Sequence, residues 1–131
     1  MNASMKAVPF LMFQGDAKPA LTLWREAFPS LEVLELEEYG EGSQKGQVAQ
    51  ARIRLGGTEL KLFDSPPVHS FSFTPATSFF IDCEDEAHLR SLAAKLGEGG
   101  DVMMPIDCHG FSKLFTWISD RFGVSWQLNL P

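Results

Sequence analysis

The apolar pattern runs through strand, helix, strand, strand, strand and then repeats the series, a duplication that restricts the available folds more than any other feature. Residues 5–13 read as a strand, which Pro9 confines to an edge or a strand start. Gln14-Gly15-Asp16 is a turn, with Asp16 as N-cap for a helix over 17–28 whose Ala20, Leu21, Trp24, Ala27 and Phe28 share one face. Pro19 is harmless in the first turn and Pro29 stops the helix. A strand over 32–39 places Leu34 and Leu36 opposite Glu35 and Glu37, and 40–46 is a Gly-rich loop. Residues 47–55 alternate, with Ala49, Ala51, Ile53 and Leu55 against Val48, Gln50, Arg52 and Arg54. Gly56-Gly57 is a hairpin signal leading into a strand over 58–64.

After an aromatic, Pro-punctuated connection over 65–75, the series begins again. Residues 76–82 form a strand, and 82–85 cap a helix over 86–96 with a stripe of Leu89, Leu92, Ala93 and Leu96 and with Gly97 at its C-terminal stop. Strands follow at 101–105, 112–119 and 124–130, with a loop over 106–111. The halves superpose in sequence at an offset of 66 to 69, so that Gly57-Thr-Glu-Leu-Lys-Leu falls on Gly123-Val-Ser-Trp-Gln-Leu. The expected fold is α+β: two βαβββ repeats, about 5–64 and 76–130 of a single domain spanning 1–131, giving two four-stranded sheets, each with one helix on its outer face, that if paired would enclose a cleft between them.

Composition narrows the function. The net charge is −6, and Glu32, Glu35, Glu37, Glu38 and Glu41 occupy a ten-residue window without Lys or Arg, leaving 12 acids against 11 bases elsewhere. Neither part offers the basic footprint that nucleic acid requires. No apolar run is long enough to span a membrane, and no secretory leader is read at the start. Two cysteines, Cys83 and Cys108, make no disulfide framework, so a reducing, cytoplasmic setting is expected. Eleven Phe and three Trp against one Tyr fit either a well-filled core or an aromatic-walled cavity.

Several segments resemble the vicinal oxygen chelate superfamily, which includes glyoxalase I, fosfomycin- and bleomycin-resistance proteins and extradiol dioxygenases. Within it, the chain is similar to the branch labelled 3-demethylubiquinone-9 3-methyltransferase. The likeness is carried by Pro9-Phe-Leu-Met-Phe with Gly15, Ala49-Gln-Ala-Arg-Ile-Arg-Leu-Gly-Gly and Phe71-Ser-Phe-Thr-Pro-Ala. It continues in Gly99-Gly-Asp-Val-Met-Met-Pro, Phe111-Ser-Lys and Trp117-Ile-Ser-Asp-Arg-Phe-Gly-Val-Ser-Trp-Gln-Leu-Asn. The resemblance implies the paired βαβββ architecture and a homodimer. Its label implies a ubiquinone-pathway methyltransferase, but the turn after the first strand is Gln14-Gly15-Asp16, and the chain holds no G-x-G-x-x-G of a doubly wound fold.

The superfamily also implies a divalent metal held by His and Glu on the first and last strand of each half. The positions matched here offer no His, Asp or Glu around Pro9, only hydroxyls at Thr77 and Ser78, and Lys61 and Gln127 on the last strands. A lysine ammonium has no lone pair to give and a lone amide is a weak ligand. No cofactor is therefore expected, and a metal-dependent lyase or dioxygenase ranks behind other readings. Loop residues Asp64, His69, Asp107, Cys108 and His109 are the remaining source of ligands, and a hydrogen-bonded loop histidine is the simpler account of His69 and His109. Cys108 beside His109 does not by itself make a nucleophile and its base. His88 lies off the apolar stripe of its helix and reads as solvated.

What remains is a polar and aromatic strand face. Lys61, Phe63, Arg52, Lys113, Trp117 and Gln127, with His69 and Phe71 from the connection, are the candidate ligand-binding residues. Arg54 and Glu59, near a hairpin end, read as solvent surface. The first expectation is a small-molecule-binding protein or metal-independent enzyme, homodimeric, with no nucleic-acid or membrane partner. The alternative is a non-catalytic dimeric scaffold whose acidic 32–41 strand meets a basic partner.

Overall fold

The computed structural model describes residues 4–131. The chain divides into two compact units, Met1–His69 and Ser70–Pro131. The first holds β1 (Phe10–Phe13), α1 (Ala17–Ala27), β2 (Glu32–Glu38), β3 (Val48–Leu55) and β4 (Thr58–Asp64). The second holds β5 (Ser78–Asp82), α2 (Glu86–Gly97), β6 (Asp101–Asp107), β7 (Leu114–Ser119) and β8 (Ser125–Leu130). Each unit folds into a four-stranded mixed sheet, in the orders β1-β4-β3-β2 and β5-β8-β7-β6. In each, the first and last strands pair in parallel and the other ladders are antiparallel.

Alternation in the strands assigns their two faces. Leu60 and Leu62 of β4 and Ala51 and Ile53 of β3 are buried, and α1 lies against β4 with Trp24 fully enclosed. In the second unit α2 packs on β7 and β8, covering Ile118, Trp126 and Leu128 with Leu89, Leu92 and Leu96. Enclosing one tryptophan removes roughly 200 Å² from water, on the order of 5 kcal/mol at 25 cal/mol per Å².

The element boundaries moved in three instructive places. The first strand is shorter than expected because Pro9 has no N–H to donate; its carbonyl still accepts from Lys61 N, at 2.9 Å. Asp16 precedes α1 but makes no side-chain cap. That task falls to Asp64, at the far end of β4: its Oδ1 accepts from Gly15 N (2.8 Å) and Ala17 N (3.0 Å), and its Oδ2 from Val48 N (2.9 Å). The Asp64 backbone carbonyl accepts from Tyr39 Oη and Gln44 Nε2, so it also ties down the Gly-rich β2–β3 loop. At the end of α2, Gly97 is the last helical residue, and the left-handed conformation (φ +74°) belongs to Gly99. Gly100 then passes so close to β7 that a Cβ there would lie 2.0 Å from Ser119 O.

The start of α2 matches its signal and adds to it. Asp85 Oδ1 accepts from His88 N, and His88 Nδ1 accepts in return from Glu84 N. His88 is thus part of a reciprocal cap rather than a solvated bystander. In the β7–β8 turn, buried Asp120 accepts from Phe122 N, Val124 N and Trp126 Nε1.

Candidate functional site

The sheet face away from α1 carries one straight row across all four strands. Phe10 of β1 pairs with Lys61 of β4, Lys61 with Arg52 of β3, and Arg52 with Glu35 of β2. This row forms the floor of an open concavity of about 640 Å³, with Phe63, Glu59 and Lys6 around it. Phe10 and Phe63 stack with ring centroids 4.9 Å apart and planes 29° apart. Phe10 stays 61% exposed, an unusual amount of open aromatic surface for a strand residue.

The charges of this face are arranged unequally. The Glu59 carboxylate, 14% exposed, meets Lys6 Nζ at 2.6 Å and Arg52 Nη1 at 2.7 Å. Arg52 also reaches Glu35 through Nε, at 3.3 Å. The bond from Lys6, then that from Arg52, holds the Glu59 carboxyl below its ordinary pKa, and Glu59 followed by Glu35 raises that of Arg52. Among the described residues, the Lys61 ammonium makes no hydrogen bond or ion pair. Glu59, read from sequence as solvent surface, is therefore part of the site; its partner Lys6 lies 53 positions away and left no local sign. Arg54, paired among the described residues with Glu32 at 3.4 Å on the exterior, fits its solvent reading.

The second unit has a row in the equivalent register. Phe80 of β5 pairs with Gln127 of β8, Gln127 with Trp117 of β7, and Trp117 with Met104 of β6. This row is neutral. Gln127 Nε2 donates to Ser78 Oγ at 2.7 Å, and Trp117 Nε1 donates to Ser125 Oγ at 2.8 Å. Arg52, Lys61 and Phe63 thus come together in one unit, and Trp117 and Gln127 in the other. Lys113 stands apart, before β7, in a shallower hollow with Phe111, Ser112, Asn129, Leu130 and Pro131. His69 and Phe71 are exposed on the connection and line neither concavity. His69 N donates to Gln14 Oε1.

Among the described residues, no group of three or more His, Cys, Asp or Glu is placed to hold a metal ion. At the two rows the polar side chains are Lys61, Arg52, Glu35, Gln127 and Trp117, and both Glu35 and the neighbouring Glu59 are held in ion pairs by Arg52 and Lys6. These residues do not fit a divalent metal. The His109 ring is committed elsewhere, with Nε2 2.7 Å from Pro105 O and its plane stacked on Phe111, and no hydrogen bond joins it to the Cys108 thiol among the described residues. The acidic strand is largely answered within the chain: Glu32, Glu35 and Glu38 pair with Arg54, Arg52 and Lys18. That does not favour the scaffold reading.

The two thiols differ sharply. Burial pushes Cys83 up to about 11, so it stays protonated at neutral pH, whereas Cys108 is exposed. In the native protein one thiol per chain, Cys108, will react promptly with Ellman's reagent, and Cys83 only after denaturation. Two equally fast thiols would contradict this.

Two four-stranded βαβββ sheets, each covered by one helix, are the architecture of the vicinal oxygen chelate superfamily. The fosfomycin resistance protein FosX of Listeria monocytogenes, solved with Mn(II) and sulfate, shares this fold at a TM-score of 0.61 and 10% identity, covering 99% of this chain and 94% of its own. The chain belongs to the 3-demethylubiquinone-9 3-methyltransferase family, whose model matches residues 5–129. It is similar to the PhnB protein of Bacillus cereus, with 37% identity, a TM-score of 0.91, and 97% of this chain and 100% of the other covered. It is also 23% identical to protein YjdN of Escherichia coli strain K12, over 96% of this chain and 95% of the relative. No helix among the described residues is long and apolar enough to cross a membrane.

Proposed function

We propose that this protein binds a small molecule, or acts on one without a metal, and that the ligand lies on the open face of the first sheet, over Lys61. The observation that carries this reading is the row Phe10–Lys61–Arg52–Glu35, which sets an ammonium unpartnered among the described residues beside open aromatic surface in one concavity. The donor set supports a site that works without a divalent ion. The family's description names methyl transfer, but the amides opening α1, where a Gly-rich cofactor turn would act, are spent on Asp64. Methyl transfer therefore forms no part of the proposal.

A homodimer and a cytoplasmic setting belong to the same proposal. Exposed Phe80 supports a second copy, and the two free cysteines support a reducing compartment.

The test is a small-metabolite screen on chelator-treated, ¹⁵N-labelled protein, followed by amide shifts. Hits are expected to move the amides of residues 6–12, 50–54 and 59–63. Hits confined to other surfaces, or none at all, would overturn the placement. A thermal-shift titration with Mn, Zn, Ni and Fe(II) should leave the midpoint unchanged. A metal at 100 times its dissociation constant would add about 2.7 kcal/mol, and such a gain would overturn the metal-free part.

A further inference from the structure

This inference rests on the reading of the open face as a binding site and concerns what the site accepts. We propose that the concavity over Lys61 selects an organic monoanion, a carboxylate carried on a flat unsaturated or aromatic group, over neutral and dianionic compounds.

The argument is one of charge and shape. Lys6, Arg52, Lys61, Glu35 and Glu59 are the ionisable side chains that line the concavity. Both carboxylates are engaged: Glu59 holds Lys6 and Arg52, and Glu35 holds Arg52 from the other side. Three cations against two carboxylates leave one positive charge over, and the geometry assigns it to Lys61. Arg52 and Lys61 are also direct cross-strand neighbours, an arrangement in which like charges destabilise a sheet. The two carboxylates draw charge away from Arg52 and leave Lys61 unanswered. A single carboxylate on Nζ would relieve that repulsion, whereas a second negative charge would find no free partner and would face Glu35 and Glu59.

Shape supplies the rest of the specificity. Phe10 neighbours Lys61 directly in the register, and its ring lies nearly parallel to that of Phe63. The pair presents a flat apolar surface beside the ammonium, with Phe10 mostly uncovered. A planar group covers that surface at little entropic cost, because it brings few rotors to freeze.

The experiment titrates ¹⁵N-labelled protein with benzoate, benzamide and inorganic phosphate. Benzoate should shift the amides of Phe10, Lys61 and Phe63, and benzamide, of the same shape without the charge, should bind about tenfold more weakly or worse. Lys61→Met should abolish the preference for benzoate, and the ligand-free thermal midpoint should hold or rise as the repulsion with Arg52 disappears. Lys61→Gln serves as a second variant with a polar end and should give the same result. Equal binding of benzoate and benzamide, retention of the preference in both variants, tighter binding of phosphate, or no response to benzoate would each overturn the monoanion inference. The metabolite screen described above decides separately whether the face binds anything, so the two failures are distinguishable.

Discussion

Replacing Asp64 with alanine is expected to cost the first unit about 4 kcal/mol and to lower its thermal midpoint by roughly 15 °C. The Asp64 side chain is fully buried and accepts from three backbone amides on two separate segments: Gly15 and Ala17 at the entry to α1, and Val48 at the head of β3. Alanine leaves all three donors without an acceptor and out of reach of water, and an unsatisfied buried donor costs about 1–3 kcal/mol. Asparagine is the informative companion. It restores one oxygen but turns the other position into a donor facing a donor, so Asp64→Asn should fall between wild type and alanine, near 2 kcal/mol. Chemical denaturation followed through Trp24, the only tryptophan of the first unit, reads both variants. A loss below about 1 kcal/mol for alanine would mean that water or a shifted loop satisfies those amides.

The second large effect falls on Gly100. Its backbone passes so near β7 that an added Cβ would stand 2.0 Å from Ser119 O and 2.9 Å from the Asp120 carbonyl carbon. Both obstacles are main chain, and Asp120 is pinned by its own bonds to Phe122 N, Val124 N and Trp126 Nε1. Neither can rotate aside as a side-chain tip would. Gly100→Ala should therefore cost at least about 3 kcal/mol, beyond the usual range for adding a methyl group to a packed interior. Gly40→Ala is the matched control: nothing lies within 4 Å of its added methyl, so its effect should stay within about 0.5 kcal/mol. Comparable losses in the two variants, measured by urea unfolding, would refute the close-approach account.

Much of the fold could be read along the chain because its determinants are local. The alternation in residues 48–55 and 58–64 and the stripe of Leu89, Leu92 and Leu96 mark their elements without help from the rest of the molecule. The misses arise where the deciding partner is distant. Asp64 reads as an ordinary acid after Phe63, and nothing nearby tells that it caps a helix 47 residues earlier. Glu59 looked like hairpin surface because Lys6, which fixes it, comes from a segment expected to be strand. His88 could have been recognised, since Asp85 three positions before it forms the outline of a reciprocal cap with histidine in the place of the usual glutamate.

The candidate residues show the same division. Period 2 groups Lys61 with Phe63 on one strand and puts Arg52, Trp117 and Gln127 each on one face of its own strand, because parity fixes facing only within a strand. That Arg52 joins Lys61, and Trp117 joins Gln127, follows from the register. The register that sets Phe10 beside Lys61 depends on a parallel pairing between the first and last strands of the unit, and only the folded chain displays it.

The duplicated design lets neighbouring positions of one strand answer to different masters. In β4, Leu60 and Leu62 serve the helix above them, while Glu59, Lys61 and Phe63 face the open side; in β8, Trp126 and Leu128 alternate in the same way with Ser125, Gln127 and Asn129. The helix-facing residues of β4 and β8 are large and apolar in both copies, while the open-face neighbours differ, lysine against glutamine and, on β3 and β7, arginine against tryptophan. Chemical variety is thus written into every second residue, and the intervening ones keep the scaffold. A chain built this way can acquire a new specificity by exchanging a handful of side chains on one face, without renegotiating its core.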